Sequence, residues 1–170
     1  DNMPPGNRKA NMNDENTIKV KLDLGRISRF VSQKLRAKLI SGVGTARIAV
    51  WGSQAEPSNR NKLDRMSAGD DILIVEGNKI RLMGKIAAKV ENPDLSRELW
   101  KPLDGQGQTD WRLIYFIANA RELDVPFAEF CNLFGYASNF QLRGFTTVAP
   151  VRLEEFYLKY EDLYSVLERI

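Results

Sequence analysis

The sequence predicts an α+β fold with a small curved sheet or barrel, and three observations lead there. Apolar residues alternate in "TIKVKLDL" (17–24) and run almost unbroken in "TARIAVW" (45–51) and "DWRLIYFIANA" (110–120), as in strands. By contrast "RISRFVSQKLRAKLI" (26–40) sets Ile27, Phe30, Val31, Leu35 and Leu39 at helical spacing. The strands are joined by hairpin-type turns, Gly77-Asn78 above all, and not by regular βαβ units.

Taken in order, residues 1–16, "DNMPPGNRKANMNDEN", hold no apolar segment and read as a disordered arm or cloning remnant without a signal peptide. Residues 17–170 are then expected to form one domain. Its first strand is 17–24. The helix over 26–40 carries Arg26, Arg29, Lys34, Arg36 and Lys38 and no acid, so its outer face is cationic; Gly42 and Gly44 end it. A second strand, 45–51, precedes a helical turn at 59–66, a tight turn at 67–71 and a hairpin over 72–90. "NPDLSRELW" (92–100) predicts a short helix capped by Asn92 or Asp94. A glycine-containing loop, 101–108, leads to the most apolar strand, expected at the centre of the sheet. Pro126 opens and Gly135 closes a helix over 125–136. "FTTVA" (145–149) predicts a last strand, and 151–170 one helix with Leu153, Phe156, Tyr157, Tyr160, Leu163, Leu167 and Ile170 on a stripe.

The composition excludes several kinds of chemistry. At 170 residues, 43% hydrophobic and 28% charged, the chain suits a globular domain with a sizeable core. No apolar run approaches the roughly 18 residues of a membrane span. Cys131, the one cysteine, lies in "FAEFCNLFGY", reads as a small core residue, and fits a reducing, cytoplasmic compartment. There is no histidine, which removes histidine metal sites, Ser–His and Cys–His pairs and histidine acid–base catalysis. Neither Asp70-Asp71 nor Glu154-Glu155 is set against a second acid. "GVGTAR" (42–47) lacks the phosphate-loop pattern and precedes a strand. No cofactor and no enzymatic activity are expected.

Charge is uneven. Residues 1–90 carry 17 Lys and Arg against 9 Asp and Glu, residues 91–170 carry 8 against 13. Arg26, Arg29, Lys34, Arg36 and Lys38, with Arg60, Lys62 and Arg65, are either a solvated face or a set of phosphate contacts. The aromatic residues pose a matching question. The strand Ile48-Ala49-Val50 ends in Trp51, then runs into Gly52, Ser53 and a polar stretch with Asn59 and Asn61. Trp51 is either core or the wall of a pocket whose amides read a nucleobase edge. Trp100, at the end of a short helix before a loop, offers a second ring, whereas Trp111 begins the central strand and reads as core.

Val50-Trp51-Gly52-Ser53, then Asn59-x-x-Lys62-Leu63, "DILIV" (71–75) and "IRLMGKIAAKV" (80–90) follow an order that resembles the YTH and EVE members of the PUA-like superfamily. "DWRLIYFIANARELDVPF" (110–127) is similar to a further YTH segment. "GDDILIV", the spacing in "NPDLSRELW" and the "WRLIYF" strand look like EVE-like modules of modification-dependent restriction systems of the McrBC kind. The resemblance covers roughly residues 45–127.

It implies a small twisted β-barrel flanked by helices, and a non-catalytic domain that takes a methylated base, flipped out of the helix, into an aromatic cage. By position it makes Trp51 a cage wall, Gly52 and Ser53 the edge-reading segment, Asn59 the asparagine of the polar loop and Trp100 the second aromatic. Asp23 or Ser28 stands nearest the family's upstream asparagine loop, and Gly52 replaces its small polar residue. The expected partners are DNA bearing a modified base, with Arg26, Arg29, Lys34, Arg36, Lys38, Arg60 and Lys62 on its phosphates, and the effector part of a restriction protein. Two other readings stay open: a YTH-like reader of N6-methyladenosine in RNA, and an interaction domain that docks a partner through its C-terminal helix.

Overall fold

The structure, a computed structural model, describes residues 21–43, 47–100, 110–142 and 144–170. Its elements are β1 (Leu22–Asp23), α1 (Gln33–Val43), β2 (Arg47–Ser53), α2 (Pro57–Arg65), β3 (Asp71–Glu76), β4 (Lys79–Glu91), α3 (Pro93–Leu99), β5 (Leu113–Pro126), α4 (Phe127–Leu133), α5 (Pro150–Tyr157) and α6 (Leu163–Leu167). The α+β expectation stands. One five-stranded sheet runs in the order β1-β2-β5-β4-β3, with β5, the most apolar strand, at its centre as expected. β2 pairs antiparallel with β1 and with β5. The β3–β4 hairpin turns on Gly77 and Asn78, both at positive φ (56° and 59°), the conformation a two-residue turn needs to match strand twist.

Several boundaries differ from the sequence reading. The first strand is short, Leu22–Asp23; residues 17–20 of that expectation, like the arm at 1–16 and the loop at 101–108, lie outside the described residues. The cationic segment becomes regular helix only from Gln33, after Ser32 caps it through a 3.2 Å bond from the Leu35 N–H. No strand forms at 145–149. The long C-terminal helix is two helices, because the Asp162 carboxylate accepts the Ser165 N–H at 2.9 Å and starts α6 afresh. The helical turn at 59–66 is instead a full helix, α2, opened by Pro57 at its first turn. Asn92 caps α3 by accepting the Leu95 N–H at 2.9 Å.

The chain divides into two compact units. Of the described residues, the first comprises those up to Ile72 with those of Gly84–Ala120, the second Leu73–Met83 with those of Arg121–Ile170. In the first, Leu24, Ile27, Leu39, Ile48, Val50, Leu95, Trp100, Trp111, Ile114 and Phe116 belong to one buried cluster. In the second, Phe127, Phe130, Cys131, Phe134, Phe156, Leu163 and Leu167 share another, rich in close ring pairs such as Phe134–Phe156 at 4.8 Å. Cys131 is buried there, as expected, and burial raises its thiol pKa. No helix among the described residues is long and apolar enough to cross a membrane.

Gly52 is the tightest point of the first unit. A Cβ there would stand 2.5 Å from Cη2 and 2.7 Å from Cζ3 of Trp100, and 2.9 Å from the Trp111 Cβ. Gly52→Ala is therefore expected to lower stability by about 1–3 kcal/mol through overpacking. Gly42→Ala, where a Cβ meets nothing within 4 Å on α1, is expected to gain about 0.5–1 kcal/mol. Urea midpoints of the two variants check this; equal midpoints would contradict it.

Candidate functional site

Successive residues of a strand point to opposite faces of its sheet. On β2, Ile48, Val50 and Gly52 face the buried cluster that holds Trp100 and Trp111. Arg47, Ala49, Trp51 and Ser53 face the other way. Opposite them on β5 stand Tyr115, paired with Trp51, Leu113, paired with Ser53, and Ile117, paired with Ala49. Asp23 pairs with Arg47 and so shares the Trp51 face.

This alternation separates the two indoles that the resemblance would place in one cage. Trp51 is half-buried. Trp100 is fully buried across Gly52, on the opposite face, edge-on to Trp111 with ring centroids 5.4 Å apart at 80°. The two rings do not face each other across a slot, and in this structure Trp100 is a core residue whose ring partner is Trp111. Its indole Nε1, like the Ser96 Oγ, finds no hydrogen-bond partner among the described residues. Trp111 is buried, as its place at the head of the central strand suggested.

Ser53 pairs with Leu113 of β5, and the two residues after it are held by side chains from the first turn of α2. The Ser53 Oγ is buried without a hydrogen-bond partner among the described residues, and the Tyr115 hydroxyl, on the same face of the sheet, is buried too. Burial pushes that hydroxyl's pKa well above the ordinary tyrosine value, so Tyr115 is a neutral donor and acceptor. Asn59 Nδ2 donates to the Gln54 carbonyl at 3.0 Å. Arg60 donates from one guanidinium nitrogen to the Ala55 carbonyl at 2.9 Å, and from the other two to Glu91 at 3.2 and 2.7 Å. Asn59 and Arg60 lie in the first turns of α2, and Glu91 ends β4, so helix and sheet together fix the segment that leaves Trp51. Asp23 is exposed and accepts the Gly25 N–H at 2.6 Å, a local turn. It lies four residues along the strand direction from Trp51, roughly 13 Å.

The cationic residues fall into two groups. Arg26, Lys34, Arg36 and Lys38 are exposed. Arg29 is also exposed, but it stacks on Phe30 with its guanidinium carbon 4.6 Å from the ring centre and pairs with Glu98 at 3.4 Å. These residues line a shallow groove of about 450 Å³ with Asp94 and Arg97, which mixes both signs of charge. Lys62 is half-buried on α2. Arg60, expected on phosphate, is committed to Glu91 and the Ala55 carbonyl. No group of acidic or cysteine side chains among the described residues could hold a metal ion.

Sequence reasoning did not single out Tyr115, Glu91 or Gln54, which the register and the hydrogen bonds set around Trp51 and the segment that follows it. Tyr115 is hidden inside an apolar strand, and only the register sets it opposite Trp51. Glu91 lies 31 residues from Arg60.

No protein-family model and no curated protein sequence matches this chain. Among solved structures it is similar to the N-terminal domain of McrB from Thermococcus gammatolerans, in a structure bound to m5C DNA. The two share 16% sequence identity and a TM-score of 0.60, over 86% of this chain and 87% of the other. The chain thus shares the α+β fold of that domain.

The Arg60 guanidinium holds the Glu91 carboxyl below its usual pKa, and Arg112 does the same for Asp110. A lowered folded pKa stabilises the fold in full above the unfolded carboxylate value of about 4, and that contribution is lost as pH falls through the folded value. Glu91→Gln is expected to flatten the loss of stability on acidification below about pH 5 and to lower stability at pH 7. Urea titrations across that range check it, and an unchanged acid slope would contradict it.

Proposed function

Starting from this shared fold, we propose that the chain is a non-catalytic nucleic-acid-binding module that receives a modified base at Trp51, in DNA rather than RNA. The observation that carries the reading is the fold match, over most of both chains, to a domain whose structure holds m5C DNA. The half-buried Trp51, on the face turned away from the buried cluster, supports the same reading. So does a set of exposed cations with no acid among them on residues 26–40.

The physical argument is one of offsetting terms. Extruding a base from a duplex costs a few kcal/mol. Stacking it on an indole returns about 1–3 kcal/mol. Contacts from Arg26, Lys34, Arg36 and Lys38 to phosphates add affinity that does not depend on sequence. A methyl group on the base adds apolar contact with the ring and loses little hydration, so the methylated base wins over the plain one. Such a module serves an effector, here the remainder of a modification-dependent restriction protein.

A binding panel of oligonucleotides that differ in one base tests this: cytosine or 5-methylcytosine, adenine or N6-methyladenine, in double- and single-stranded DNA and in RNA. The wild-type chain is expected to prefer a methylated DNA duplex to its plain counterpart. Trp51→Ala is expected to lower affinity for the methylated duplex roughly tenfold and leave the plain duplex unaffected. Arg36→Glu should weaken both alike and make the salt dependence shallower. Equal wild-type affinity for methylated and plain duplexes would overturn the proposal, and preference for methylated RNA would move it to the RNA-reader reading.

A further inference from the structure

Two helices, one in each unit, carry apolar side chains on their outer as well as their inner faces. In the second unit α5 buries Phe156, yet Val151 is 58% and Leu158 86% exposed. The Leu158 N–H donates to the Glu154 carbonyl at 3.0 Å, so the helical register runs on to Leu158. At about 100° per residue, Val151, Glu154, Glu155 and Leu158 form one outward stripe on the side away from Phe156. The stripe read from the sequence is a different one, since its Phe156, Leu163 and Leu167 are core. In the first unit α1 buries Leu39, while Ile40 is 43% exposed and Ala37 is exposed beside it. Arg36 flanks that crest on one side, Lys34 and Lys38 on the other, all exposed. A helix with apolar residues on both sides has a second surface to cover.

The two outer faces are opposite in charge. Residues 26–43 hold no acid. Residues 150–162 hold Glu154, Glu155, Glu161 and Asp162 against Arg152 and Lys159. Arg152 is turned inward: it donates to the Phe134 carbonyl at 2.6 Å and stacks over Tyr136, 4.3 Å from the ring centre.

We propose that α1 of one copy of this chain docks on α5 of another, with Ile40 against Val151 and Leu158 and the α1 cations beside Glu154 and Glu155. Exposed ion pairs contribute at most about 1 kcal/mol each, so the apolar contact supplies the affinity. Charge sets the pairing, because two α5 faces would oppose acid to acid and two α1 faces cation to cation. Each copy carries one face of each kind, so the contact is head-to-tail and joins copies beyond pairs. Arg36, Lys34 and Lys38 are also the cations proposed for DNA phosphates, so a copy docked through α1 cannot use them on DNA. That consequence alone rests on the phosphate reading; the association does not.

Sedimentation of wild type, Ile40→Gln and Leu158→Gln over a concentration series tests this. Both side chains are exposed, so the variants are expected to keep the wild-type melting midpoint. Wild type is expected to associate in dilute salt and to return to monomer in about 1 M salt, where the screening length is about 3 Å. Each variant alone is expected to associate roughly tenfold more weakly or less. An equal mixture of the two is expected to form one-to-one pairs and stop there, since each variant keeps the face the other lacks. A wild type that stays monomeric in dilute salt overturns the proposal, and so does a mixture that fails to pair. Loss of association in Leu158→Gln but not in Ile40→Gln overturns it too, because that result marks contact between two α5 faces. Excess unmethylated duplex is expected to dissolve the wild-type assembly; an assembly that persists on the duplex overturns the competition and leaves the association standing.

Discussion

The absence of a side chain at Gly52 lets one strand serve two faces. Trp100 closes directly over the β2 backbone there, edge-on to Trp111, and seals the buried cluster of the first unit. Because strand residues alternate, sealing that face leaves the next indole, Trp51, on the other. Any larger residue at position 52 would push Trp100 off the sheet and with it the end of β2. The placement of Trp51 thus depends on a packing contact on the opposite side of the strand, made by a ring that itself never meets solvent.

From Trp51 onward the chain trades apolar packing for hydrogen bonds. Segments that leave a sheet are usually the most mobile part of a domain, since few contacts hold them. Here Asn59 and Arg60 of α2 bind the carbonyls of Gln54 and Ala55, and Glu91 of β4 holds Arg60 in turn. A recognition surface gains from such bracing because ordering costs are met on folding and not on binding. The two salt-bridged ends, Arg60 and Glu91, are about two-fifths exposed, so their value lies in direction more than in energy.

Much of the architecture was legible in the sequence because local patterns determined it. Gly77-Asn78 announced the hairpin, Asn92 the cap of α3, and the unbroken apolar run the central strand. Failures came where a local pattern competed with a cap or with tertiary contacts. Asp162 restarts a helix whose apolar stripe runs straight past it, and "FTTVA" has β-branched residues but pairs with no strand. The site was legible in part. Trp51 stood out as an aromatic at the edge of a polar loop, but pairing it with Trp100 ignored parity: Trp100 packs over residue 52, and residues 51 and 52 cannot face the same way. Tyr115 and Glu91 are far from the loop in sequence, and nothing local marks them.

The central claim, that a base stacks on Trp51, is tested most directly by the fluorescence of that indole alone. In a Trp100→Phe, Trp111→Phe chain shown to fold by its circular dichroism and cooperative melting, Trp51 is the sole tryptophan. Titration with a duplex that carries one 5-methylcytosine is expected to quench its emission strongly, as stacking on a base does, while the unmethylated duplex leaves it largely unchanged. Binding of the methylated duplex with no change in Trp51 emission would contradict the account.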